Sequence, residues 1–183
     1  MKGVFYVAAL TLCFAACQNE PAKTDTNTPA APQEQKTVPT AKKAIVFFGN
    51  SLTAAYQLSP EQGFPALIQK KIDSLGWAYT CVNAGLSGET TADGVNRIDW
   101  VLQQPMDVFV LELGGNDALR GLPIAESIKN LQIIVDKVKA ARPNCKIVVA
   151  GMEAPPNLGP VYTKAFHNMY PALARKNGAL LIP

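Results

Sequence analysis

One histidine, His167, serves the whole 183-residue chain. Any mechanism that needs an imidazole base must use it, or is incomplete within this sequence. The four cysteines, at positions 13, 17, 81 and 145, show no C-x-x-C spacing, which leaves zinc ribbons and thioredoxin-type redox chemistry without support. Charged residues make up only 17% of the chain. Past Lys42, 13 basic and 11 acidic residues leave +2, with no Lys/Arg block and no aromatic-basic stripe, so a nucleic-acid partner is excluded. No apolar run reaches the roughly 18 residues that a membrane-spanning helix needs. Neither a dinucleotide fingerprint nor a phosphate-binding G-x-x-x-x-G-K-[S/T] occurs, and no cofactor is expected. What the chain does have is 48% hydrophobic residues, too many for a disordered polymer and enough for one core at this length.

The first 42 residues read as targeting and tether. Lys2 precedes an uncharged, mostly apolar stretch, Gly3 to Ala16, which ends in Phe14-Ala15-Ala16-Cys17. A basic start, a short apolar run and small residues before the cut make a secretory signal. Small residues directly before a cysteine resemble the bacterial lipobox, with Phe14 where leucine is usual. Residues 1–16 are then a signal peptide, and Cys17 is the lipid anchor. The alternative is an ordinary signal peptide with incidental cysteines. From Gln18 to Lys42 the chain is Thr, Pro, Ala, Gln and Asn with Val38 as its one large aliphatic residue, which suits a disordered tether. This combination predicts an exported bacterial lipoprotein, periplasmic or outer-membrane associated, held at a membrane surface through its lipid.

Residues 43–183 alternate strand and helix patterns. Continuous apolar runs at Ala44–Phe48, Tyr79–Asn83, Asp107–Leu113, Lys146–Gly151 and Ala179–Ile182 read as five strands buried on both faces. Between them, apolar residues recur at helical spacing from Phe64 to Leu75, after a Thr90 or Thr91 cap, from Pro123 to before Pro143, and from about Val161 to Lys176 with a kink at Pro171. Five such strands separated by helices imply a parallel sheet with helices on both faces. Cys81 and Cys145 fall in or beside strands as small core hydrophobes.

In such sheets ligands bind beyond the carboxyl ends of the strands. Three of those ends carry glycine-bearing turns with small polar side chains: Gly49-Asn50-Ser51-Leu52-Thr53, Asn83 to Thr90, and Gly114-Gly115-Asn116-Asp117. Together they suit acyl transfer. Ser51 offers a hydroxyl to attack, while the backbone N–H groups of Ser51 and Gly88 and the Asn116 amide offer oxyanion donors. Any single turn of this kind is ordinary turn chemistry; three at successive strand ends are not. Glu112 and Asp117 flank the third turn and are expected to hydrogen-bond within it, not to act as acid or base.

The segments FFGNSLTAAY, NAGLSGETTADG and LELGGNDALRG resemble the first three blocks of the SGNH (GDSL) hydrolases, in the thioesterase I, lysophospholipase and arylesterase branch. The resemblance runs from about Ala44 to Pro183. It implies a flavodoxin-like α/β/α fold without metal or nucleotide, with Ser51 as nucleophile and first oxyanion donor, Gly88 as second donor and Asn116 as third. It also implies a serine esterase acting on a small acyl ester such as a short acyl ester, aryl ester or lysophospholipid. A monomer is expected. Asn50 stands where the family usually has aspartate, which keeps hydrogen bonding to the turn and drops a charge. The family's Asp-x-x-His, supplying general base and orienting carboxylate, is absent from residues 1–183. It is expected beyond Pro183, so that the chain is truncated and inactive as it stands. His167, about six residues into its helix and turned some 120° from the apolar face, is expected at the rim and not as a stand-in base. The competing reading is a non-catalytic lipoprotein that binds an acyl or carbohydrate ligand in the same crevice.

Overall fold

The computed structural model describes residues 41–183. The expected signal peptide, Cys17 and all but the last two residues of the expected tether lie outside the described residues. The rest is one parallel sheet: β1 (Lys43–Gly49), β2 (Tyr79–Gly85), β3 (Val108–Glu112), β4 (Lys146–Ala150) and β5 (Leu180–Ile182), in the order β2-β1-β3-β4-β5. The connections are α1 (Phe64–Ser74), α2 (Thr91–Val101), the short α3 (Gly115–Leu119), α4 (Ile124–Ala141) and α5 (Pro160–Asn177), with 3₁₀ turns at Pro60–Gln62 and Pro156–Leu158. All five expected strands and four expected helices are present. α3 was not expected, because Gly-Gly-Asn disfavours a helix interior. Pro171 lies inside α5, which runs on through it.

Alternation along each strand sorts the two faces. Val46, Phe48, Phe109, Leu111 and Val149 turn to one face and pack with Ile98, Val101, Ile134, Val135, Val138 and Phe166 of α2, α4 and α5 in the main core. Phe47 turns to the other, where its ring meets Phe64 of α1 edge-on at 5.5 Å. Leu180 and Ile182 pair with Val148 and Ala150 on that second face and are 68% and 53% exposed. α2 begins at Thr90, whose side chain accepts from the Asp93 N–H while the Asp93 side chain reaches back, a reciprocal cap. Burying about 20 apolar side chains at roughly 1.5–3 kcal/mol each holds these layers against their ordering entropy.

This strand order has one reversal of direction, between β1 and β3, and crevices form at such a point. Register puts Gly49 opposite both Gly85 and Glu112, so β2, β1 and β3 end level with one another. The three glycine-bearing turns leave from that common edge.

Candidate active site

Gly49 closes β1 because nothing larger fits: a Cβ there would overlap Thr53 Oγ1 and Glu112 Oε2. Beyond it, Asn50 is buried, and its Oδ1 accepts the Leu52 N–H at 3.0 Å. This is the turn-bracing bond that an aspartate could also make, which explains why asparagine is tolerated. The turn is further held from β3. Glu112 Oε2 accepts from Thr53 Oγ1 at 2.6 Å, Thr53 N–H at 3.2 Å and Asn50 N–H at 3.3 Å. Glu112 therefore serves the first turn, not its own as expected. Burial pushes its carboxyl above the usual range, while the Thr53 hydroxyl and the backbone N–H groups pull it down. Its Oε1 is buried without a partner.

Asp117 also reaches further than expected. It is buried and accepts from Thr91 N–H (2.9 Å), Thr91 Oγ1 (2.6 Å) and Ser127 Oγ (2.9 Å), so it ties α3 to the starts of α2 and α4. Those donors leave it no part in proton transfer. Gly114, at φ +121°, lets the chain enter α3 above Tyr170, whose hydroxyl donates to the Leu113 carbonyl at 3.0 Å.

Each pair of turns is joined directly. Leu86 N–H donates to Gly49 O (2.9 Å), Asn50 N–H to Glu112 O (3.3 Å), and Asn116 Nδ2 to Glu89 O (2.9 Å). Ser51, Gly88 and Asn116 therefore lie on three mutually bonded turns. Among the described residues, the N–H groups of Ser51 and Gly88 have no hydrogen-bond acceptor, although their neighbours Asn50, Leu52 and Glu89 do. Asn116 has one of its two amide hydrogens on Glu89 O, which leaves the second free. Gly88, at φ +83°, has open space where a side chain would stand. A crevice of about 470 Å³ lies beside it, lined by Ser87, Glu89, Asn96, Arg97 and Arg120 among others.

His167 is exposed on α5, with Nδ1 at 2.6 Å from Glu153 Oε1 on the loop after β4. No group among the described residues hydrogen-bonds the Ser51 hydroxyl. Nor do three His, Cys, Asp or Glu side chains gather anywhere among them as metal ligands would. An apolar groove of about 360 Å³ between α4 and α5 has no serine, threonine, cysteine or histidine in its lining.

Residues 47–183 match the GDSL-like lipase/acylhydrolase family. The chain belongs to that family. It is 38% identical over 144 residues to the esterase TesA of Pseudomonas aeruginosa, covering 78% of this chain and 71% of that protein. It is 33% identical to an arylesterase of Vibrio mimicus over the same share of each chain. The thioesterase 1/protease 1/lysophospholipase L1 of Escherichia coli is 36% identical, with 67% of its length covered. Among solved structures, AlinE4, an SGNH-hydrolase family esterase, superposes with a TM-score of 0.73 at 41% identity, covering 78% of this chain and 76% of that one. The protein is thus an SGNH hydrolase of the esterase, thioesterase and lysophospholipase type.

Sequence reasoning missed Thr53, Glu89 and Arg97. Thr53 had one signal, a small hydroxyl residue four positions after a strand-closing glycine. The pairing of Glu89 with Arg97 had none, since residues eight apart share no simple periodic relation.

Proposed function

We propose that this chain carries the nucleophile and the complete oxyanion site of a serine ester hydrolase, with short acyl esters, aryl esters or lysophospholipids as its substrate class. The observation that supports the reading is the set of three unpaired donors, Ser51 N–H, Gly88 N–H and the free Asn116 hydrogen, on turns bonded to one another at one edge of the sheet. Gly88 is exposed and Ser51 and Asn116 are half-buried, so water can serve these donors until an acyl oxygen replaces it. In the first step the Ser51 hydroxyl loses its proton to solvent base as Oγ bonds to the acyl carbonyl carbon, whose oxygen takes the negative charge under the three donors. The tetrahedral species then breaks its bond to the leaving oxygen or sulfur, which takes a proton from solvent, and water cleaves the acyl-serine to acid and free serine.

A serine hydroxyl needs a base to lose its proton during attack. Residues 1–183 contain no Asp-x-x-His, and His167 pairs with Glu153 at an exposed position on α5. The 183-residue chain is therefore a slow hydrolase by itself, within roughly 10³–10⁴-fold of the uncatalysed rate, as when a triad member is lost. The test is turnover of p-nitrophenyl butyrate. Asn116→Ala should fall by about 10²-fold. Ser51→Ala and His167→Ala should both stay near the wild-type rate, because without a base the residual turnover comes from the oxyanion donors and binding. If His167→Ala abolishes turnover, His167 is the base. If Asn116→Ala keeps the wild-type rate, a ligand-binding role replaces the enzymatic one.

The same proposal includes export and lipidation at Cys17, motivated by Phe14-Ala15-Ala16-Cys17 ahead of a polar tail. Intact mass of membrane-fraction protein should show cleavage before Cys17 and a lipidated sulfur. Cys17→Ser should be soluble and unmodified. Unmodified wild-type protein beginning elsewhere would remove the anchor.

A further inference from the structure

Two of the three oxyanion donors depend on the loop between β2 and α2: Gly88 N–H lies on it, and the Asn116 amide of α3 bonds to it. That loop is held by an ion pair buried on its Glu89 side. The Glu89 side chain is 1% exposed, and both its oxygens are taken by Arg97 of α2, one by Nε and one by Nη2. Arg97 is itself immobilised from two further sides. Its Nη2 donates to the Ala84 carbonyl at 3.0 Å, and its guanidinium carbon stands 4.3 Å from the centre of the Phe48 ring. These contacts anchor Glu89 to β1 and to the end of β2.

Glu89 passes that anchoring to both donors. Its carbonyl oxygen accepts one Asn116 hydrogen at 2.9 Å, which orients the amide plane and so the direction of the free hydrogen. Gly88 precedes it directly, and the Gly88 carbonyl is held by Arg120 Nη2 at 2.9 Å. With the peptide between Gly88 and Glu89 held at both ends, the Gly88 N–H is placed by two torsions alone, the ψ and φ of Gly88. With Glu89 buried and Arg97 19% exposed, desolvation offsets part of the attraction, so the ion pair by itself is weak evidence for a stabilising role. A bidentate guanidinium–carboxylate fork does supply fixed geometry.

We propose that Glu89 and Arg97 form the positioning pair of the oxyanion site, setting Gly88 N–H and the Asn116 amide together. This rests on the oxyanion roles proposed above. The pair touches no reacting atom and acts only through the two donors.

The test uses the 183-residue protein labelled with ¹⁵N. Arg97→Lys keeps the charge but loses the fork. It should speed solvent exchange of the Asn116 hydrogen bonded to Glu89 by about tenfold or more and shift the Gly88 amide resonance, with α4 amides unmoved. With p-nitrophenyl butyrate, kcat should fall about tenfold at a KM within twofold, the pattern of an interaction made in the transition state. Adding Arg97→Lys to Asn116→Ala should cost less than the product of the two single losses. If Arg97→Lys does not fold, the neutral pair Glu89→Gln with Arg97→Gln takes its place with the same expectations. Lowered thermal stability with unchanged Asn116 and Gly88 signals and unchanged kcat would overturn the proposal and leave the pair a structural brace. Moved signals with Asn116→Ala at the wild-type rate would instead overturn the oxyanion reading itself.

Discussion

Thr53→Val is the cleanest perturbation of the nucleophile turn. Valine has the shape of threonine, and Thr53 is fully buried, so the change removes little but the hydroxyl donated to Glu112 Oε2 at 2.6 Å. That oxygen keeps two longer N–H bonds, at 3.2 and 3.3 Å, and the other carboxyl oxygen has no partner to compensate. A hydrogen bond to a charged group contributes roughly 1.5–3 kcal/mol. For a domain of this size that is a fall in Tm of about 5–10 °C. The loss must also depend on pH. Burial holds the Glu112 carboxyl above its ordinary 4.5, and the Thr53 hydroxyl is first among the groups that pull it back down. The folded protein therefore binds this proton more tightly than the unfolded chain, and stability falls as pH rises from 4.5 through the folded pKa. Valine raises that pKa further. The gap between wild type and variant should be smallest in acid, where both are protonated, and widest above the folded pKa. Thermal unfolding followed by circular dichroism between pH 4 and 8 measures it. A gap independent of pH, or below about 0.5 kcal/mol throughout, would refute the view that an ionisable Glu112 holds the turn.

Asp117→Ala strands the Thr91 N–H, the Thr91 hydroxyl and the Ser127 hydroxyl, all of which it accepts. It should destabilise by about 3 kcal/mol or more in urea, and Asp117→Asn should recover part of that. Burial pushes the Cys145 thiol to about 11, so only about a thousandth of it is thiolate at pH 8. Ellman's reagent should label it slowly in the folded protein and rapidly in guanidinium; prompt labelling of the half-buried Cys145 under native conditions would contradict its raised pKa.

The strands were legible because a strand covered on both faces must be apolar without interruption, as AIVFF and KIVVA are. The helices were legible from their spacing and from caps such as Thr90. The site was legible as three turns because glycine, asparagine and serine at strand ends are local features. Their bracing was not. Glu112 and Asp117 looked like partners within their own turn, yet their bonds run 59 to 62 residues back to Asn50 and Thr53, and 26 back to Thr91. The short α3 forms despite Gly114 at its cap and Gly115 at its first position because Asp117 on it satisfies the open end of α2, a gain that exists only once the fold has formed. Long-range polar contacts of this kind leave no periodic trace, and Glu89 with Arg97 is the extreme case.

The central claim is that Ser51 attacks and that Gly88 and Asn116 hold the developing oxyanion. Its most direct test is covalent labelling by an alkyl fluorophosphonate near pH 9, where hydroxide can take the hydroxyl proton. Ser51 Oγ would displace fluoride from phosphorus, leaving a phosphonyl ester that peptide mapping locates. The exposed Ser87, in the second turn, is the natural competitor. The account predicts a single adduct on Ser51, formed about 10²-fold more slowly in Asn116→Ala. An adduct on Ser87, or labelling of Ser51 at a rate indifferent to Asn116, would contradict it.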